Sequence, residues 1–211
     1  NGLQIKANHI YIGPPGGQLS VHAGRLQRLE RDTEHAPKLP INYFLCSLAL
    51  EQRERAIGII LSGTGSDGTL GLQEIKAQGG MVMVEDPQSA KFDGMPTSAI
   101  ATNLVDFVIP TTAMAQQLLQ YVQASHPSTV TPGEGVTSRD NESLQEIFAL
   151  LRRHMGQNFS AYKSNTIYRR IARRMNINRI KSHAQYLRYL KNTPEEIDTL
   201  FRELLINVTS F

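Results

Sequence analysis

The sequence predicts an α/β unit built on a parallel sheet, followed by a small all-α unit. Three observations predict it. Strand-like and helix-like pieces alternate through residues 1–123, the pattern of a parallel sheet with helical crossovers. Residues 141–211 carry helical spacing and no strand signal. Between them, residues 124–140 are rich in Ser, Thr, Pro and Gly and have no apolar period, so they read as an interdomain linker.

In chain order, "HIYIG" (9–13) reads as a strand, and 19–29 as a hairpin turning at "HAGR". Residues 41–55 read as a helix, with Tyr43, Leu45, Leu48 and Ala49 among its apolar positions. "AIGIIL" (56–61) is a short apolar run, as expected of a strand covered on both faces. A helix to Gln78, stopped by Gly79-Gly80, leads to the strand "MVMVE" (81–85). Pro96 suits the first turn of the next helix. The strand "LVDFVI" (104–109) and a helix over 111–123 close the unit. Four helices follow, over 141–154, 163–178, 183–191 and 194–207; the last opens on Thr193, Pro194, Glu195 and Glu196, a cap followed by proline and first-turn acids.

Charge supports the division. The formal net charge of +3 splits into nine Lys/Arg against eleven Asp/Glu over 1–125 and thirteen against seven over 139–211, with Glu134 between them supplying the remaining −1. A basic second unit suggests an acidic partner. The lone Cys46 excludes an internal disulfide and fits a reducing compartment, hence a cytoplasmic location. No apolar run reaches 18 residues, so no membrane insertion is expected, and no secretory signal opens the chain. The absence of an initiator Met suggests a piece of something longer.

The chemistry concentrates in "ILSGTGSDGTLGL", residues 60–72. Gly63, Gly65 and Gly68 spell GxGxxG between a strand and a helix, and the next strand ends in Glu85-Asp86, near where a ribose-binding acid belongs. This is the basis for an NAD-dependent oxidoreductase. Against it, Asp67 puts a carboxylate where a pyrophosphate would lie. Two like charges about 4 Å apart cost on the order of 4 kcal/mol at an effective dielectric near 20. Two other readings stand beside it. Asp67 can orient a histidine and stabilise its imidazolium in a hydrolase triad, or it can cap the following helix.

"GIILSGTGSDGTLGLQEIKAQGGMVMVEDPQSAKFDGMPTSAI" resembles the C-terminal half of the chemotaxis protein-glutamate methylesterase catalytic domain. Its G-x-G-x-D-G turn, the loop at Gln88–Ala90 and Gly94-Met95-Pro96 follow in the family's order, and "NHIYIGPPGGQLSV" matches an earlier strand and turn. The resemblance covers roughly 1–122 and implies a Ser-His-Asp hydrolase of glutamate methyl esters on chemoreceptors. It places the triad acid at Asp67 and gives Gly94 and Met95 a part in shaping the substrate cleft. The family's serine and histidine segments do not occur here. His9, His22 and His35 read as surface or local structural residues, and Ser62 and Ser66 as loop hydroxyls.

"LQEIFALLRRHMGQNFSAYKSNTIYRRIARRM" and "LFRELLINVTSF" resemble the N-terminal helical domain of the chemotaxis protein-glutamate methyltransferase. Esterase followed by methyltransferase is the order of bifunctional fusions of the two, here expected to be truncated at both ends. The resemblance implies S-adenosylmethionine as methyl donor, with Asn207 and Thr209 at cofactor-contacting positions, and no metal. It also implies that the basic helix faces the methylation helices of a chemoreceptor. Ile167, Ile171 and Met175 repeat every four residues and can face the bundle core. Arg169, Arg170, Arg173 and Arg174 are then expected on the other side as like-charged i,i+4 pairs, which an acidic partner would compensate. Arg152 and Arg153 would extend that surface. Nucleic acid is the rival partner for an arginine-rich helix, but no zinc-ligand spacing, zipper or helix-turn-helix signal supports it. The chain by itself is expected to hydrolyse no ester and transfer no methyl group, which keeps open a non-catalytic receptor-binding or interdomain regulatory module.

Overall fold

The computed structural model describes residues 2–13, 17–29, 39–125, 138–155 and 164–205. They fall into two compact units, 1–114 and 115–211.

The first unit opens on a small antiparallel sheet of β1 (Leu3–Gln4), β2 (Gln18–His22) and β3 (Arg25–Leu29), in the order β1-β3-β2. The expected hairpin forms at "HAGR". Ala23 and Gly24 both take positive φ, +49° and +69°, as a two-residue turn matched to strand twist requires. The strand expected at 9–13 does not form. A strand needs a neighbour for its amides, and here Tyr11 folds the segment back on itself, its hydroxyl accepting from Lys6 N–H and donating to Gln4 O. Ile10 and Ile12 are left 94% and 90% exposed.

Helix α1 (Pro40–Gln52) follows, then a single 3-10 turn (Arg53–Arg55), β4 (Ile57–Ile60), α2 (Thr69–Ala77), β5 (Met81–Glu85), α3 (Gly94–Ile100), β6 (Phe107–Ile109) and α4 (Thr111–Ser125). Strands β4, β5 and β6 form a parallel sheet in that order, with Ile57 opposite Met81 and Met83 opposite Phe107. β5 lies between the other two and is buried throughout, as its unbroken apolar run predicts. β4 departs from expectation: Gly58 and Ile60 are buried while Ile59 is 37% exposed, so one face only is covered. α3 starts two residues before Pro96. β6 is shorter than expected because Asp106 turns inward, accepting from Lys76 Nζ at 2.7 Å and from Val82 N–H at 2.9 Å. That buried pair fixes α2 to the sheet.

α1 attaches to everything around it. Its Ser47 hydroxyl and Glu51 carboxylate accept the N–H groups of Val21 and Gly24 in the hairpin. Its Asn42 accepts Gly71 N–H from α2 at 3.0 Å. Leu45 and Ala49 join Ile60, Leu72, Ile75, Val82, Val84 and Ala99 in the core.

The second unit takes in α4 from Ala115 onward and is helical, as read: α5 (Ser138–Met155), α6 (Ser164–Ile177), α7 (His183–Asn192) and α8 (Pro194–Leu205). Ile167, Ile171 and Met175 of α6 face its core, with Leu144, Ile147, Leu151, Tyr186, Leu190, Ile197, Leu200 and Leu204. Most of the linker read at 124–140 lies outside the described residues, and α4 continues to Ser125.

Candidate active site

The turn between β4 and α2 is tied down at both ends. At its start, Gly63 N–H donates to Phe92 O and Gly63 O accepts Met95 N–H, both at 2.9 Å. Ser62 Oγ accepts Phe92 N–H, also at 2.9 Å. A Cβ on Gly94 would lie 3.1 Å from Gly65 N and 3.4 Å from Gly63 O, and one on Gly63 would collide with the Met95 sulfur. Gly94 and Met95 therefore pack directly on the glycine-rich turn.

At the far end stands Asp67, half-buried. Its Oδ2 accepts Ile41 N–H at 3.0 Å; its Oδ1 accepts Asn42 N–H and its neighbour Gly68 N–H, each at 2.9 Å. Ile41 and Asn42 are first-turn residues of α1, whose N-cap is Leu39, a residue with no side-chain oxygen to offer. Asp67 thus caps a helix, but it is α1 rather than the α2 that follows it. Gly68 caps α2 without a side-chain bond. A carboxylate on first-turn amides is favoured by hydrogen bonding and by the helix dipole together. Between the anchors, Thr64, Gly65 and Ser66 are exposed.

This arrangement does not suit a pyrophosphate. Gly63 N–H and Gly68 N–H, two of the amides that would cradle one, already bond within the chain. Glu85, considered as a ribose-binding acid, is buried, and its Oε2 accepts Ser62 N–H at 2.7 Å. Ser62 is a loop hydroxyl as expected. His9, exposed, bonds Ala7 O and stacks on Tyr11, and His22 is exposed; His35 lies outside the described residues. Among the described residues, Asp67 meets three backbone amides and no histidine.

In the helical unit the expected basic face is largely buried. Arg169 is exposed, but Arg170, Arg173 and Arg174 are 4%, 7% and 6% exposed. The acids that compensate them belong to α8. Arg173 Nη1 donates to both oxygens of Glu203, at 2.8 and 2.7 Å. Arg174 Nε donates to Glu196 Oε1 at 2.8 Å, its Nη2 to Glu196 Oε2, and its Nη1 to Glu203 at 3.3 Å. Tyr186 OH and Asn178 Nδ2 complete the shell of Glu196, at 2.8 and 3.0 Å. Burial first, and the Glu196 charge second, hold the Tyr186 phenol above its usual range. The 3-4 alternation 167, 170, 171, 174, 175 carries Arg170 and Arg174 inward, and the third buried arginine, Arg173, is drawn to the edge of that face by Glu203. Arg152 and Arg153 are exposed. Asn207 and Thr209 lie outside the described residues, and among those described from 138 onward there is no strand. No group of three or more His, Cys, Asp or Glu among the described residues could hold a metal ion, and no described helix is long and apolar enough to cross a membrane.

Residues 1–118 match the family model described as CheB methylesterase, and residues 142–205 match the model described as CheR methyltransferase, all-alpha domain. An uncharacterized 104.1 kDa protein of Rhodobacter capsulatus is 33% identical across 99% of this chain and 24% of its own length. A protein-glutamate methylesterase/protein-glutamine glutaminase of Rhizobium meliloti is 32% identical across 56% of this chain and 34% of its own. The crystal structure of the Thermotoga maritima CheB methylesterase catalytic domain is similar with a TM-score of 0.50 and 26% identity, covering 57% of this chain and 66% of that one. The chain spans less than two thirds of the length of each of these proteins.

Proposed function

The chain belongs to the CheB methylesterase family over residues 1–118 and carries a CheR-type helical domain behind it; from that membership we propose that it serves chemoreceptor adaptation, as a protein-glutamate methylesterase joined to a protein-glutamate O-methyltransferase. In this reading Asp67 is the acid of a Ser-His-Asp triad whose serine and histidine lie outside residues 1–211. The histidine takes the serine proton, serine attacks the glutamate methyl ester, methanol leaves, and water releases the acyl group. Asp67 holds the imidazole in the working tautomer and stabilises its protonated form.

One observation carries the assignment. A carboxylate offers about four lone-pair positions, and three amides use three of them. Oδ1 has two donors and Oδ2 has one. The remaining position, on Oδ2 of this half-buried residue, is where an imidazole N–H would bind. The same three bonds favour a second reading, in which Asp67 is a structural cap and the unit a non-catalytic receptor-binding or regulatory module.

The test is methanol release from a receptor peptide carrying a glutamyl methyl ester, using the protein with its complete esterase domain. Asp67→Asn should lower kcat about 10⁴-fold, as expected when the orienting acid is lost, under conditions where α1 amides stay protected. Equal rates would leave the structural cap as the reading.

The proposed methyl donor is S-adenosylmethionine, which supplies an electrophilic methyl group when bound. The described helical unit, strandless and filled by its own apolar core, does not fit that cofactor, so no step is derived through it. Asn207 and Thr209 keep a cofactor role only as a proposal resting on family likeness. The proposed partner is the acidic methylation helix of a chemoreceptor in the cytoplasm. Arg169 keeps a docking role on exposure, with Arg152 and Arg153 also exposed; Arg173 and Arg174 instead bond to the acids of α8, and Arg170 is buried beside them.

A further inference from the structure

We propose that Glu85 is a positioning residue for the turn that carries Asp67, a role that rests on the methylesterase reading of that turn. Glu85 is the last residue of β5 and only 6% exposed. Its backbone pairs outward with β6, opposite Ile109. Its side chain reaches the other way, to the point where β4 leaves the sheet. The β4–β5 ladder ends at Ile60 opposite Val84. Two residues later, Ser62 N–H donates not to a strand carbonyl but to Glu85 Oε2, at 2.7 Å.

That bond is the first of a short series. Ser62 Oγ takes Phe92 N–H, Gly63 N–H goes to Phe92 O, and Met95 N–H returns to Gly63 O. Glu85 therefore sets the lateral position of the residues from which the turn departs, five residues before Asp67. α1 fixes Asp67 itself. Among the described residues, Ser62 N–H is the only donor to the Glu85 carboxylate. A buried carboxylate serving one neutral amide is a costly way to end a strand, since a charge taken from water demands several donors. Departures from such rules concentrate at functional sites, and this one lies at the carboxyl end of the parallel strands, where open α/β sheets carry theirs.

The experiment uses Glu85→Leu and Glu85→Gln, with two readouts. In the protein with its complete esterase domain, Glu85→Leu should lower kcat for glutamyl methyl ester hydrolysis about a hundredfold, the effect of displacing a reacting group by about 1 Å, with KM changed less than about threefold. Glu85→Gln, whose amide oxygen can accept the same N–H, should restore most of that loss. In the 211-residue chain, amide exchange at Ser62 and Gly63 should quicken at least about tenfold in Glu85→Leu but not in Glu85→Gln, while Val82 and Val84 stay protected. If the unsubstituted protein hydrolyses no ester, the methylesterase reading fails and the exchange arm still judges the positioning claim. Unchanged Ser62 exchange in Glu85→Leu, or equal kcat losses in the two variants, overturns it. So does exchange quickened throughout the sheet, which would mark Glu85 as a general stabiliser.

Discussion

Replacing Asp67 by alanine should destabilise the first unit by about 3 kcal/mol. The substitution removes the acceptor for three backbone N–H groups, those of Ile41, Asn42 and Gly68. Loss of a helix-capping side chain costs about 0.5–2 kcal/mol, and a favourable charge at a helix N-terminus contributes about 0.3–1 kcal/mol more. A hydrogen bond to a charged acceptor is worth about 1.5–3 kcal/mol. These terms overlap and water replaces part of them at a half-exposed site, so the sum settles near 3 rather than at the total. Asp67→Asn should cost about half as much, because one amide oxygen remains while the NH₂ confronts an N–H. With a urea dependence of about 1.5 kcal/mol per molar, the alanine variant should unfold about 2 M earlier. The two units must be followed separately, by amide signals of Leu45 in α1 and of Ile171 in α6. A midpoint shift below about 0.3 M at Leu45 would refute the reasoning. A shift at both reporters would mean that the damage is not local to α1.

Three further outcomes are expected. Glu203→Leu leaves Arg173 buried without its two-oxygen acceptor and should cost about 3–5 kcal/mol; Arg173→Met combined with it should recover most of that loss in chemical denaturation of the helical unit. Gly68→Ala places a Cβ 2.6 Å from Ile60 Cδ1 at a φ of +97°, so thermal unfolding should report a loss of about 2–4 kcal/mol from strain and overpacking together. For Tyr186, the raised phenol pKa makes the folded state hold a proton that the unfolded chain releases above about pH 10. Stability should therefore be unaffected below pH 10 and fall by about 1.4 kcal/mol per pH unit above it. Tyr186→Phe, followed by denaturation at pH 9 and 11, should remove that slope.

The legibility of this fold followed the type of signal. The "MVMVE" strand was plain because a central parallel strand needs only unbroken apolar residues, and the "HAGR" turn because two positive-φ positions demand residues such as Gly24. "HIYIG" misled because periodicity reports what a segment would do beside a neighbour, and Tyr11 bonds its own segment instead. Asp67 was legible as important but not as the cap of α1, since its partners lie 25 and 26 residues away and no local pattern encodes that distance. A hint existed: a helix opening on Leu39-Pro40 has no capping oxygen of its own. The buried arginines are not legible from four-residue spacing on α6 alone, because their partners sit on α8. Reading α8 the same way, Glu196, Ile197, Leu200, Glu203 and Leu204 make one stripe, and two acids inside it already call for buried cations.

The position of Asp67 along the chain has a consequence for synthesis. α1 leaves the ribosome with its first amides unanswered, and the side chain that answers them is polymerised 26 residues after Ile41. At about 5–20 residues per second, the interval is on the order of one to five seconds. During that time the nascent helix depends on water for the partners that the glycine-rich turn will later provide.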